Sequence, residues 1–446
     1  MARHSKTCKP GRLLPLALGA ALLLQTGGAS ALGLLQAYEA ALKNDPAFRS
    51  ARAAHDAGQE NRILGRSNLM PSVSGSFSGS QNRNTQTIGK TDMPRDYISR
   101  SSTLQVRQPL FNMDGFARYK QGVAQTNYAD MQYLSQSQEV ILRVTGAYFE
   151  VLLKKDQLAL AEAQRNTYAE QRKVNDRLFE KGEAAKTDML ETQARLDVAE
   201  AQVLEAQDDV NTALTNLAGI IGGEPGQLDG LSPDFRVRTG SGQSFEEWKR
   251  LSLENNPDIK TLTYGVEIAR QEVNKQRSGH VPRVDLVGTY GKSVADSITT
   301  YNQETMVRSI GIQVNIPIYS GGSVNAASRQ AVANQEKAKA DLQTQTDKVT
   351  VELRKNYNLM SSSVARIEAL MKSVDSGKLL IKATEQSIKG GVRINLDLLN
   401  AQQQLFTSKR DLAQARYNYL MSTLRLRAAA GVLAYDDLRE VAANFR

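Results

Sequence analysis

Reactive side chains are scarce in this 446-residue chain. It has one cysteine, Cys8, and three histidines, His4, His55 and His280. With the first 31 residues set aside, Cys8 and His4 are gone, and thiolate nucleophiles, disulfides and Cys/His zinc clusters lack their parts. "GTYGKS" (288–293) resembles the end of a phosphate-binding loop. Leu286 stands where that motif needs glycine, however, and Gly288 lies inside a strand pattern with no helix following. His280 sits at a helix-to-strand joint before Val281-Pro282 and reads as structural. The chain is not expected to be an enzyme, and it calls for no cofactor or metal. Two aspartates remain, Asp188 and Asp397, at matching places in two similar segments. Asp188 with Glu191 reads as a capping box, and Asp397 falls where a helix N-terminus favours negative charge.

These residues belong to elements that are written twice. The segment 43–77 returns as 254–288, with Pro46 matching Pro257 and Pro71 matching Pro282. "KGEAAKTDMLETQARL" (181–196) returns as "GGVRINLDLLNAQQQL" (390–405). Units this long are duplicated half-proteins rather than solenoid repeats. The expected division is a leader 1–31, a first repeat 32–244 and a second repeat 245–446.

The leader has a basic start (Arg3, Lys6, Lys9, Arg12), a short apolar run (Leu13 to Leu24) and a small-residue site, Ala29-Ser30-Ala31. It reads as a secretory signal peptide, too short to span a membrane. Cys8 lies in the basic start rather than at the cleavage site, so no lipid-anchored N-terminus is expected. Removing the leader lowers the net charge from +9 to +5, 52 basic against 47 acidic residues. That balance and an exported location argue against nucleic acid as a partner. No run of 18 apolar residues follows residue 32. This excludes a helical membrane span but not a barrel, whose strands alternate.

Each repeat shows the same order. An amphipathic helix (33–68, 245–279) leads to two strand-like runs around a polar loop. A very long helix (about 113–180, 322–388), a Gly-containing turn and a returning helix (187–221, 396–430) follow. The strands, 71–81, 101–111, 282–292 and 307–319, are read from period-2 alternation. Ile310, Ile312, Val314, Ile316 and Ile318 share one face, and Ser309, Gln313 and Asn315 the other. The first pair is weaker: Val73 and Phe77, then Leu104, Val106 and Leu110. Loops 82–100 and 293–306 read as solvated hairpin tips. The returning helices carry heptads (Met189, Leu196, Val203, Val210, Leu217; Leu398, Leu405, Leu412, Tyr419, Leu426) with a second seam of small residues. Such a seam packs each returning helix on its long helix as a left-handed coiled coil. A helix of about 68 residues spans roughly 100 Å, and two of about 35 stacked end to end match it. Segments 222–244 and 431–446 then fall near mid-rod.

Together these features resemble the TolC-type outer-membrane channel family. The likeness is carried by "NNPDIK" (255–260), "GHVPRVDLVGTYG" (279–291), "VNIPIYSGGSVNAASRQA" (314–331), "NLDLL" (395–399) and "LAQARYNYLMSTLRLRAAAG" (412–431), and covers the whole chain after the leader. The resemblance implies a mainly α fold with a transmembrane β part, in the outer membrane of a Gram-negative bacterium and extending into the periplasm. Three protomers would give four strands each to a shared 12-stranded barrel above a long antiparallel coiled-coil α-barrel. Physical reasoning alone asks for an oligomer, since open strand edges are forbidden in lipid and four strands close no barrel, but it leaves a dimer of 8 strands beside a trimer of 12.

The implied role is the passive exit duct of a tripartite export system, type I protein secretion or multidrug efflux. A periplasmic adaptor and an inner-membrane ABC or proton-driven transporter would open it. The family's gate positions fall on Thr187, Asp188, Arg393, Asp397 and Asn400. Arg393 matches the arginine that bonds across to the other hairpin, with Asp188 its acceptor and Thr187 beside it. Asp397 matches a ring aspartate; Asn400 replaces the second ring aspartate and Ile388 the gating tyrosine. The adaptor-docking motifs fall on Lys181-Gly182-Glu183 and Gly390-Gly391-Val392, and Gly182 and Gly391 also read as helix C-caps. The competing expectation is a structural coiled-coil protein of the periplasm without channel activity, just as the strands alone would suit a small soluble sheet.

Overall fold

The computed structural model describes residues 31–182, 185–232, 235–237, 242–295, 303–390 and 392–446, with the backbone alone at residue 95. The expected leader lies outside the described residues, save Ala31.

The long helices run over the stretches expected of them, 113–180 and about 322–388. α3 (Met113–Glu180) has 68 residues and α7 (Ser323–Lys389) has 67, about 100 Å each. The returning helices α4 (Lys186–Ile221) and α8 (Asn395–Ala429) pack along them. Leu196, Val210 and Leu217 are buried on α4 beside Ala199 and Ala213, and Leu398, Leu405, Tyr419 and Leu426 on α8 beside Ser408, Ala415 and Ser422. Small residues on one seam let the backbones approach while the large ones fill the other.

Each leading helix, expected as one piece, is two. α1 (Leu34–Asn44) breaks to α2 (Pro46–Ser67), and α5 (Phe245–Asn255) to α6 (Pro257–Arg277). Proline lacks the N–H and drives the residue before it out of the helical region, so Asp45 and Asn256 are extended (ψ 116° and 123°). Both then cap the next helix: Asp45 Oδ1 accepts from Ala47 N, and Asn256 Oδ1 from Asp258 N and Ile259 N. A kink forced by proline thus becomes a capped restart.

These short helices stack end to end with the returning ones, as the lengths require. Asn44 Nδ2 donates to Ile221 O at one joint; Ser252 Oγ and Asn256 Nδ2 both donate to Ala429 O at the other. A left-handed glycine turns the chain at each joint, Gly222 (φ 78°) and Gly431 (φ 74°). After α8, Gly431 N bonds Ala428 O and Val432 N bonds Arg427 O, the paired closure of a Schellman motif. Side by side, α2 and α4 flank α3 on one edge, α6 and α8 separate α3 from α7, and α7 forms the other edge.

The main core lies at mid-rod. α1, the middle of α3, the ends of α4 and α8, and α9 (Tyr435–Ala442) bury Leu34, Tyr148, Phe149, Leu217, Leu424 and Leu438. Tyr148 OH shares its one hydrogen between Leu32 O and Asp229 O (2.9 and 3.0 Å), and bridges Leu32–Leu228 and Leu231–Phe445 fasten the segments after α4 and α9 beside it.

At one end of the rod stands an antiparallel sheet in the order β1-β2-β3-β4. β1 (Ser72–Ile88) and β2 (Thr91–Phe111) belong to the first repeat, β3 (Arg283–Ala295) and β4 (Gln303–Asn315) to the second. The expected polar loop 82–100 is therefore strand apart from the turn at Gly89-Lys90. Cross-strand bonds replace apolar alternation there: Asn84 Nδ2 donates to Tyr97 OH, and Asn82 Nδ2 to Ser99 Oγ. β4 stops at Asn315 rather than 319, because Pro317 offers no N–H. β2 bulges between Pro109 and Phe111 for the same reason.

The register sorts the two faces. Val73, Val106, Gly288 and Ile310 form one cross-strand row, and Gly75, Leu104, Tyr290 and Arg308 the next on that face. The opposite face carries serines and amides, with Ser78 and Ser101 hydroxyls 2.7 Å apart and Ser80 and Ser99 2.6 Å apart. At its rod-side end, Asp285 is buried against Arg107 and Arg283. Ile310, Ile312 and Val314 are 79%, 68% and 53% exposed, so nothing among the described residues covers the apolar face.

Candidate gate at the hairpin tips

The two helical turns, α3 to α4 and α7 to α8, lie at the end of the rod away from the sheet. Lys181 ends α3, and Gly182 follows in the left-handed region (φ 74°), donating to Phe179 O. Gly182 thus closes the helix as a C-cap glycine does. Glu183 and Gly391 lie outside the described residues. Val392 is 81% exposed, and its N–H donates to Ser387 O.

Asp188 is not the first residue of a capping box. It occupies the third position of α4, and its carboxylate reaches back to Ala185 N (3.3 Å). Asp397 holds the same position in α8, where negative charge offsets the helix dipole. Thr187 and Arg393 are exposed. Among the described residues, Arg393 makes no ion pair within its own chain, so the chain alone does not join it to Asp188. Ile388 is half-buried and presents no polar side-chain atom.

What joins the two hairpins is a ladder of mostly neutral groups that sequence reasoning missed. Nearest the tips, Gln171 Nε2 donates to Asn395 Oδ1 (3.0 Å), and Asn395 Nδ2 donates to Thr192 Oγ1 (3.2 Å). Thr192 also accepts from Asn175 Nδ2 (2.8 Å) and donates to Asp188 O (2.8 Å). Thr192 is 0% and Asn175 3% exposed, so unmade bonds here would be costly. Further along, Arg195 Nη2 donates to Asn400 Oδ1 (3.2 Å), which engages Asn400 in the link between hairpins. Gln403 Oε1 then accepts from Gln164 Nε2 and Tyr168 OH (2.5 and 3.2 Å), above an apolar cluster of Tyr168, Leu196, Ala199 and Leu399. Nearer mid-rod, Tyr417 OH donates to Asp156 Oδ2 (3.0 Å). Burial pushes the Asp156 carboxyl up from its ordinary range, against the opposing pull of Tyr417 and Arg416.

One signal could have found this ladder. Thr192 lies seven residues before Ala199 on the small-residue seam, a polar residue on a core stripe. Among the described residues no group of His, Cys, Asp or Glu is arranged to hold a metal, and no helix is long and apolar enough to cross a membrane. Among the described residues the arrangement is one of hydrogen bonds between side chains of two hairpins.

The model of the family "Outer membrane efflux protein" matches residues 37–223 and 248–432. The chain is 44% identical to the alkaline protease secretion protein AprF of Pseudomonas aeruginosa, over 97% of this chain and 92% of that one. It is 38% identical to the proteases secretion protein PrtF of Dickeya chrysanthemi, over 95% and 94%. The crystal structure of the outer membrane protein VceC from Vibrio cholerae shares the fold with a TM-score of 0.78 at 17% identity, over 89% of this chain and 96% of that chain. With the family model matched along both repeats and such identities over nearly its whole length, the chain belongs to the outer membrane efflux protein family.

Proposed function

We propose that the chain is one protomer of a trimeric outer-membrane channel-tunnel, the passive exit duct of a tripartite export system. The observation that carries this reading is the sheet. It is apolar on one face and hydroxyl- and amide-lined on the other, and among the described residues β1 and β4 each have an unpaired edge. A membrane tolerates such strands only in a closed barrel. Closure requires β4 of one copy to pair with β1 of the next, and three copies give 12 strands. The rod repeats the logic: its unpaired flanks expose Leu190, Val198 and Leu204 on α4, and Val351 and Leu379 on α7. A periplasmic coiled-coil protein without channel activity would need neither the sheet's apolar face nor its open edges, and the family does not support it.

The protein is placed in the outer membrane, with the helical rod in the periplasm. Its cargo is a secreted protein, in keeping with relatives that bear the names of protease secretion proteins. An inner-membrane transporter, ABC-type for such cargo, and a periplasmic adaptor drive export, and the adaptor docks at the tips around Gly182, Glu183, Gly391 and Val392. The duct reading is tested by fractionation. A heat-modifiable, SDS-resistant trimer in outer-membrane fractions is expected, and a monomer in the soluble periplasm would overturn it.

Thr187, Asp188 and Arg393 hold the tips of neighbouring protomers, since Arg393 makes no ion pair among the described residues of its own chain. An Arg–Asp link at an exposed tip is worth about 0–1 kcal/mol, weak enough for a partner to open. Arg393→Ser is expected to raise single-channel conductance in planar bilayers, and unchanged conductance would remove Arg393 from the gate. Asp397 supplies one carboxylate per protomer to the constriction. Asp397→Asn is expected to weaken block by multivalent cations at constant monovalent conductance; undiminished block would place the blocking site elsewhere.

A further inference from the structure

We infer that Asn395 is a latch that holds the two helical hairpins of one protomer together at the tunnel entrance, through Gln171 and Thr192, and that its release is a step in opening. The inference rests on the duct reading and deepens it.

Three observations carry it. The first is position. Asn395 is the first residue of α8 and makes the last of the bonds between hairpins before the tips, among the described residues. Beyond it Val392, Arg393 and Ile394 are exposed. Among the described residues it is therefore the first bond that must give when the second hairpin parts from the first at the tips.

The second is the chemistry that α8 forgoes. Asparagine is among the best N-capping residues, yet the N-cap of α8 is Ile394, which has no capping atom and is 62% exposed. Asn395 stands one place inside the helix, and its amide is spent across the gap on Gln171 and Thr192. A side chain suited to stabilising its own helix is used to hold a different one.

The third is the seat it occupies. Gln171, Asn175 and Thr192 bond one another before Asn395 is counted, and Asn175 and Thr192 are buried. The first hairpin thus presents a preformed polar socket, and the second supplies a single amide to it. All four side chains are neutral. Both fastened and released states leave no buried charge behind, which suits a contact that must open reversibly under a partner's pull.

The test uses the full-length trimer in planar bilayers, with assembly checked by SDS-resistant migration. Asn395→Ala and Gln171→Ala are each expected to raise the open-to-closed ratio by roughly tenfold, the weight of one or two such bonds. The double variant should add little to Asn395→Ala, because that change already removes the bonds to both Gln171 and Thr192, whereas Gln171→Ala removes only the first. A Gln171→Cys/Asn395→Cys pair should conduct like the double alanine variant until a short bis-thiosulfonate linker joins the thiols. Conductance should then fall to the wild-type level and rise again with reductant. The one cysteine of the chain, Cys8, lies in the expected leader, so this pair is the only target. Wild-type conductance in Asn395→Ala, additive effects in the double variant, or no response to the linker would each overturn the latch. Failure of the variants to assemble would also overturn it, by making Asn395 a folding residue. A wild-type protein with no conductance would instead overturn the duct reading itself.

Discussion

Ile310→Arg is expected to abolish assembly in the outer membrane, while Ser309→Arg, one residue away, is expected to be tolerated. Ile310 lies in the middle of β4 and is 79% exposed, in one row with Val73, Val106 and Gly288. Ser309 pairs with Thr289 on the polar face. An arginine on the lipid face of a barrel costs up to about 2–4 kcal/mol per copy, depending on its depth, and a trimer meets that cost three times. The same side chain on the polar face stays in water and changes only the charge of the passage. The check is the yield of SDS-resistant trimer in outer-membrane fractions for each variant. Equal yields would mean that the apolar face does not meet lipid.

The second large effect belongs to the joint where α8 meets the break between α5 and α6. Gly431 is left-handed (φ 74°), and a Cβ there would lie 2.4 Å from Asn255 C and 2.5 Å from Asn255 O and Asn256 N. Gly182 has the same φ, but a Cβ there would meet nothing within 4 Å. The pair separates two costs. Gly182→Ala bears only the left-handed penalty, about 1–2 kcal/mol. Gly431→Ala adds collision with backbone that is itself bonded to Ala429 O through Ser252 and Asn256, for about 2–5 kcal/mol in all. The heat-dissociation midpoint of the trimer should fall far more for Gly431→Ala than for Gly182→Ala. Equal shifts would mean that the joint yields and that its close approach does not matter.

How much of this was legible in the sequence depended on which force fixed each element. The heptads of α4 and α8 announced themselves because burial follows a period, and Leu196, Leu217, Leu405 and Leu426 are buried where the spacing put them. The break before Pro46 and Pro257 was visible as well, but the prolines served as markers of duplication while each helix was carried through them. The polar stretch 82–100 gave no such cue. Its strands are held by a backbone ladder with polar residues on both faces, and pairing leaves no trace in hydropathy when neither face is apolar.

The candidate gate divides in the same way. Asp397 was read as a first-turn carboxylate, since helix ends have local signatures, whereas Asp188, read as opening a capping box with Glu191, is itself the third residue of α4. The ladder of Asn395, Gln171, Thr192 and Gln403 was not found, because its partners lie as much as 239 residues apart and neutral amides are unremarkable on a helix surface. Only Thr192, polar on a stripe of alanines, hinted that a second helix would come to meet it. Asn400, matched to the family's second ring aspartate, also accepts from Arg195 of the first hairpin, a contact between side chains 205 residues apart.

The central claim is that three copies of this chain enclose one continuous water-filled passage, from an apolar-banded barrel to a constriction at the helical tips. The most direct measurement is single-channel recording of the purified trimer in a planar bilayer. The account predicts a small, stable conductance in the wild type that rises when the tips are loosened by Arg393→Ser. A trimer that inserts but passes no ions in either form would contradict it.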